Sequence, residues 1–163
     1  MIFFSYATNF LFTGLAVSVA FHAKLFNIGG EGQATLGGLG VAIVCLSFNW
    51  PHWSIALVAS ILGAMTFGAV WALIPAYLQA KRGSHIVITT IMFNFIAASL
   101  LNYLLVNVFR PDGSMDPATA KFPQTTNLPT LHEILALFNI SFSKAAPANV
   151  CFLVAILACF IIW

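Results

Sequence analysis

Between Gly32 and Ala80 the chain carries no Asp, Glu, Lys or Arg, and Gly83 to Phe109 is equally free of charge. A soluble domain carries roughly a quarter of its residues as charges, because its surface must meet water. Here charged residues make up 6% and apolar residues 61%. Two uncharged stretches of this length leave nowhere to build a wet surface. The chain reads as a membrane protein.

The few charges that exist narrow the class further. Six basic and four acidic residues give a formal charge of +2, without the clustered basic face of a nucleic-acid reader. Cys45, Cys151 and Cys159 sit inside apolar runs with no CxxC spacing, as small buried hydrophobes do. Met1 is followed by no basic region and no Ala-x-Ala site, which does not fit a cleaved signal peptide. From Val150 to Trp163 the sequence is purely apolar and then stops, short of the roughly 20 residues a span needs. That pattern is expected of a truncated chain whose further sites lie elsewhere.

Four spans and a partial fifth are predicted within a single transmembrane domain, 1–163. They cover Ile2 to Ala23, Gln33 to Phe48, Ser54 to Ala80 and Ile86 to Phe109, with a last segment beginning near Asn149. None alternates apolar and polar residues over about ten positions, as a barrel strand would. Backbone groups in lipid must be satisfied within the segment, so the fold class is all-α: a polytopic helix bundle with a broken-helix or re-entrant segment. The third span would be about 40 Å long against a hydrocarbon core of about 30 Å, so tilting, or a kink at Pro75, is expected. Small residues recur along it at every fourth position, Ala56, Ser60, Ala64, Gly68, Ala72 and Ala76. Such a stripe lets a neighbouring helix approach closely.

Lys24, Lys81 and Arg82 border short connections, whereas Arg110, Lys121 and Lys144 are spread over a loop of about 110–148 that holds five prolines. Basic density places the short connections in the cytoplasm and the long loop outside it. Trp50 and Trp53, flanking Pro51, suit the opposite interface. No internal repeat is evident.

Two polar clusters interrupt the apolar background. The first is Lys24-Leu25-Phe26-Asn27-Ile28-Gly29-Gly30-Glu31-Gly32-Gln33. Three glycines in four positions argue against a helix, each costing about 1 kcal/mol relative to Ala. Irregular backbone at membrane depth is tolerated only where it is buried in protein or lines a cavity, so Asn27, Glu31 and Gln33 could face a polar solute. A solvated cytoplasmic hairpin fits the same residues. The second cluster is Thr89, Thr90, Asn94, Ser99, Asn102 and Asn107. Thr90, Asn94 and Asn102 fall near one helical face. Hydrogen bonding to a neighbouring helix is the commoner use of such a stripe; lining a solute path is the other.

His22, His52, His85 and His132 lie on separate segments, so no metal-ligand spacing exists. No GxxxxGK[ST], GxSxG, HExxH or pair of intramembrane carboxylates occurs, which disfavours ATP binding, a membrane hydrolase or a metalloprotease in this stretch. A carrier or channel remains.

At the two polar clusters the sequence resembles the permease subunits of nucleoside and simple-sugar ABC importers, in the wider branched-chain amino acid and ribose-type permease superfamily. Gly14-Leu15-Ala16-Val17 and Ala20-Phe21, leading into Phe26 to Gln33, look like that family's GLAVAxAF…FNIGxEGQ signature. Thr89 to Ala97 is similar to its TIMLNxIA segment, and Asn127-Leu128-Pro129 fits its extracytoplasmic connection more loosely. Where the family shows Asn-Glu before the second motif, this chain has Ser84-His85. The resemblance implies a non-enzymatic transport subunit of the bacterial inner membrane. It would pair with a second permease subunit, cytoplasmic ATP-binding subunits and an extracytoplasmic substrate-binding protein. ATP would be bound by a partner and the chain itself would hold no cofactor. Asn27, Glu31, Gln33, Thr90 and Asn94 would lie near the path. An ion-coupled secondary transporter with Glu31 as titrating group, and a non-transporting assembly subunit, are the rival readings.

Overall fold

The computed structural model describes residues 3–111, 113–126 and 150–162, and among these every regular element is helical. Two compact units form: Met1–Lys24 with Leu128–Trp163, and Leu25–Asn127.

In the first unit, α1 (Phe3–His22) packs with α5 (Val150–Ile162). Ala155 is fully buried in this unit. A hollow of about 530 Å³ between the two helices is lined by Leu15, Ser18, His22, Cys159 and Phe160 among others. Thr13 and His22 each donate to the carbonyl one turn back, Asn9 and Ser18, both at 2.8 Å. A polar side chain in an apolar helix thereby meets its own backbone.

The second unit holds α2 (Gly30–Ser47), α3 (Trp53–Arg82) and α4 (Ile86–Asn107), followed by one 3₁₀ turn at Gln124–Thr126. The expected helices are present with ends shifted by a few residues. The largest shift is at α2, which begins at Gly30 rather than Gln33. Gly30 and Gly32 are thus helical, against the expectation drawn from their propensity. The first turn has few intrahelical bonds to lose, and the absent side chain of Gly32 admits atoms from two other helices, described below.

Thirty residues make α3 about 45 Å long. It continues through the buried Pro75. His52 Nδ1 accepts the Ser54 N–H at its start, and at its end Gly83 adopts the left-handed conformation, φ 65°, its N–H reaching Gln79 O at 3.1 Å. Helices α3 and α4 are each long and apolar enough to cross a membrane. Only 6% and 11% of their apolar windows are buried inside the chain, so neither is the core helix of a soluble domain. Val58, Leu62, Met65, Leu73, Ile88, Met92 and Phe95 all point outward, as lipid-facing side chains do.

The small-residue stripe of α3 is answered by α2. Gly40 and Gly63 approach backbone to backbone, Gly37 lies over Ala64, and Gly68 over the Gln33 carbonyl. Cys45 Sγ and Ser60 Oγ are 3.3 Å apart in the same seam. Leu36, Leu39 and Ala97 form the buried core where α4 joins, with Trp71, Leu101 and Leu104 packed against it. Trp50, placed at an interface by its sequence neighbourhood, donates its indole N–H to Val44 O at 3.2 Å and stacks edge-on against Phe48. Of the long connection expected at 110–148, residues 112 and 127–148 lie outside the described ones.

Candidate substrate-path site

Helical hydrogen bonding ends after α1, and residues 25–28 are irregular before α2 begins. Lys24, at φ 57°, marks the turn. Asn27 then folds its side chain forward, Oδ1 accepting the Gly29 N–H at 2.8 Å. This Asx turn satisfies one backbone donor ahead of the helix. The first i to i−4 bond of α2 follows, from Gln33 N to Gly29 O at 3.1 Å.

The opening N–H groups of a helix lack intrahelical partners and are usually capped by a nearby side chain. Here no local side chain caps α2. The cap comes from α4, 62 residues away: Asn94 Oδ1 accepts the Gly32 N–H at 2.9 Å, and Asn94 Nδ2 donates to Ile28 O at 3.0 Å. One amide thus holds both the irregular connection and the first turn of α2.

Close approach is possible because Gly32 has no side chain. A Cβ there would stand 2.9 Å from Asn94 Oδ1, 3.0 Å from Trp71 Nε1 and 3.2 Å from Phe93 O. Trp71 of α3 meets Phe93 of α4 edge-to-face, centroids 5.4 Å apart. Its indole N–H is buried without a hydrogen-bond partner among the described residues. Gly29 is filled in the same way by Thr90, whose Cβ lies 3.2 Å from the position a Gly29 Cβ would take. Thr90 is 1% exposed and its hydroxyl donates to Ile86 O at 2.8 Å and Val87 O at 3.1 Å.

Three of the five sequence-derived candidates, Asn27, Thr90 and Asn94, therefore meet at one junction of α2 and α4, while Gln33 stands in the first turn of α2 with its carbonyl against Gly68 of α3. Glu31 lies in the same first turn but faces away. Glu31 and Gln33 stand two positions apart on a helix, about 200° around its axis. Glu31 is exposed, and its carboxylate has no hydrogen bond or ion pair among the described residues; only its backbone carbonyl is engaged, by Thr35 Oγ1 at 2.8 Å. The Gln33 amide is half-buried and also uncommitted. The second polar cluster divides. Asn94 bonds across helices, Thr89 and Asn107 bond back to His85 O and Tyr103 O, and Asn102 is exposed. Trp71 and Phe93 were not singled out by sequence. A tryptophan well inside an apolar span, away from the interfaces that Trp favours, was the available signal for the first.

No metal-binding group of three or more His, Cys, Asp or Glu occurs among the described residues. The assembled features are a backbone break, a cross-helix cap and two uncommitted polar side chains in an otherwise apolar chain.

Over residues 1–163 the sequence matches the family described as branched-chain amino acid transport system / permease component. It is 41% identical over 101 residues to a guanosine ABC transporter permease of Bacillus subtilis, covering 62% of this chain and 29% of that protein. A glucose ABC transporter permease of Haloferax volcanii is 37% identical over 126 residues, 77% of this chain and 33% of that one. A nucleoside ABC transporter permease of Lactococcus lactis subsp. cremoris is 36% identical over 110 residues, 67% and 30% respectively. The matched stretch is thus about a third of the length of these relatives. No solved structure matches the chain.

Proposed function

Since the chain belongs to the permease-component family of branched-chain amino acid transport systems, a family of membrane-embedded transport subunits, we propose that it forms part of the translocation path of an ATP-driven importer for nucleosides or simple sugars. It works as a multi-pass subunit of the bacterial inner membrane. A second permease subunit completes the path, an ATP-binding subunit supplies the energy, and an extracytoplasmic binding protein delivers the cargo. The chain itself hydrolyses nothing and needs no cofactor of its own.

The observation that carries this reading is the junction at Gly29 to Gln33, where a backbone break is followed by the uncommitted Glu31 and Gln33 side chains on different sides of the first turn of α2. A polar group without a partner in lipid is costly. A water-filled path removes that cost, as bulk water at a cytoplasmic hairpin would. Amides, hydroxyls and a carboxylate suit the uncharged hydroxyl groups and base edges of nucleosides and sugars. The names of the relatives, two for nucleosides and one for glucose, support the same chemistry. Asn27, Glu31, Gln33, Thr90 and Asn94 belong to the surroundings of the path. Nucleotide-driven changes in the ATP-binding subunits would favour one permease conformation over another, exposing the path to alternate sides.

The test is uptake of labelled guanosine and glucose by vesicles holding the full-length subunit with its partners. Uptake that survives an uncoupler at constant ATP, and stops when the ATP-binding subunit is omitted, supports the proposal. Uptake that collapses with the ion gradient at constant ATP overturns it in favour of an ion-coupled carrier using Glu31. Absence of uptake of any solute, with a stable assembled complex, leaves an assembly role instead.

A further inference from the structure

Of the residues around the path, Asn94 has the least freedom to meet a cargo. Its oxygen holds Gly32 N–H at 2.9 Å and its nitrogen holds Ile28 O at 3.0 Å. Rotating the amide toward a solute would break both contacts, leaving a helix-start N–H and an irregular carbonyl unpaired in a low-dielectric setting. Each such loss carries the full desolvation penalty of an unmade hydrogen bond. Asn is suited to this position for a plain chemical reason. A carboxamide accepts at one atom and donates at another on the same planar group; an ionised Asp accepts only, and Leu does neither. Gln33 and Glu31, by contrast, carry polar ends with no protein partner among the described residues.

We propose that Asn94 is a positioning residue that caps α2 from α4 and fixes the Ile28–Gly32 junction without touching cargo, while the partnerless Gln33 amide supplies a discriminating contact. The clamp stands on geometry alone; the division of labour over selectivity rests on the transport reading. Mechanically, the clamp makes α4 and the start of α2 move as one piece. Any rearrangement of α4 during the cycle is then passed directly to the turn that carries Glu31 and Gln33.

The experiment uses the full importer in closed lipid vesicles, with Asn94→Asp and Asn94→Leu in the permease subunit. Amide exchange of the peptide spanning 28–33 reads the clamp, and the ratio of guanosine to glucose uptake reads selectivity. Asn94→Leu is expected to speed exchange at Gly32 about tenfold, the factor equivalent to one net hydrogen bond. Uptake of both solutes falls together at a constant ratio. Asn94→Asp keeps an acceptor for Gly32 at a helix start that favours negative charge, so its exchange stays within about threefold of the unmodified protein. If Asn94→Leu fails to assemble, Asn94→Ala, which removes the same Gly32 acceptor, is expected to speed Gly32 exchange alike. Gln33→Leu changes the uptake ratio. The proposal is overturned if Gly32 exchange is unchanged in Asn94→Leu or Asn94→Ala, or if either variant shifts the uptake ratio. Should neither solute be transported while Asn94→Leu still releases Gly32, the transport reading falls and the clamp is upheld.

Discussion

Gly40 and Gly63 meet without any side chain between them: a Cβ on Gly40 would stand 2.6 Å from the Gly63 carbonyl oxygen and 3.0 Å from its carbon. Carbonyl backbone cannot swing aside as a side chain can, so Gly40→Ala must push α2 off α3. Overpacking of this kind costs about 1–3 kcal/mol. Gly63→Ala meets chiefly Val44 Cγ2, at 2.7 Å, a rotatable methyl, with Gly40 O at 3.1 Å. It is expected to cost less. Gly38 has open space where a Cβ would go, and Gly38→Ala should raise stability by about 0.5–1 kcal/mol through helix propensity. Thermal unfolding of the full-length subunit in detergent ranks the three. The order Gly40→Ala below Gly63→Ala below Gly38→Ala is the expected result, and equal effects would mean that the α2–α3 seam is not as close in the intact protein.

Gly32 and Gly30 give a sharper pair, since both are helical and only two residues apart. A methyl at Gly32 enters the space of Asn94 Oδ1 and Trp71 Nε1 and also crowds Phe93 O, whereas one at Gly30 meets nothing within 4 Å. Gly32→Ala should therefore separate the α2 start from α4, with a loss of about 1–3 kcal/mol and of transport. Gly30→Ala should leave both intact. Comparable loss in the two variants would point to a need for glycine flexibility rather than for space.

This pair also marks how far the sequence could be followed. Uncharged runs located α3 and α4 within a few residues, because lipid solvation acts on every residue of a span and its signal accumulates. The every-fourth-residue stripe on α3 foretold a close neighbour, and Ser60, Ala64 and Gly68 do face α2. What the stripe could not say was which helix would fill it. Gly37 and Gly40 answer from α2, a local complementarity invisible without the pairing. At Gly30 and Gly32 propensity pointed the wrong way. The average cost of glycine applies to helix interiors, while these two occupy a first turn stabilised by Asn94 from a remote helix. That contact spans 62 positions, and no periodicity within either segment encodes it. Whether Glu31 and Gln33 share a face likewise depended on where α2 begins.

Trp71 offers a test in which removing a polar atom should cost little. Its indole N–H is buried and unpartnered, a state that costs about 1–3 kcal/mol. Trp71→Phe deletes that donor along with part of the ring's packing, so the two effects offset and stability should change by less than about 1 kcal/mol. Phe93→Leu loses the edge-to-face pairing, about 0.5–1.5 kcal/mol beyond area, with nothing to offset it. Denaturation of the full-length subunit in nanodiscs compares them. A loss above about 2 kcal/mol for Trp71→Phe would mean that the N–H finds a partner in the assembled protein.

Glu31 separates stability from transport most cleanly. Its carboxylate is exposed and engages no partner among the described residues, and it stands in the first turn of α2, where negative charge gains about 0.3–1 kcal/mol from the helix dipole. Glu31→Gln removes only that contribution, so unfolding should shift by less than about 1 kcal/mol. A residue retained for folding alone would leave uptake untouched as well. If instead the carboxylate faces the path, Glu31→Gln lowers uptake or alters the guanosine-to-glucose ratio in a complex of normal stability, and uptake stays ATP-driven in the presence of an uncoupler. Unaltered rate and ratio in Glu31→Gln, with Gln33→Leu equally silent, would remove both uncommitted side chains from the path and with them the chemical basis for assigning it to this junction.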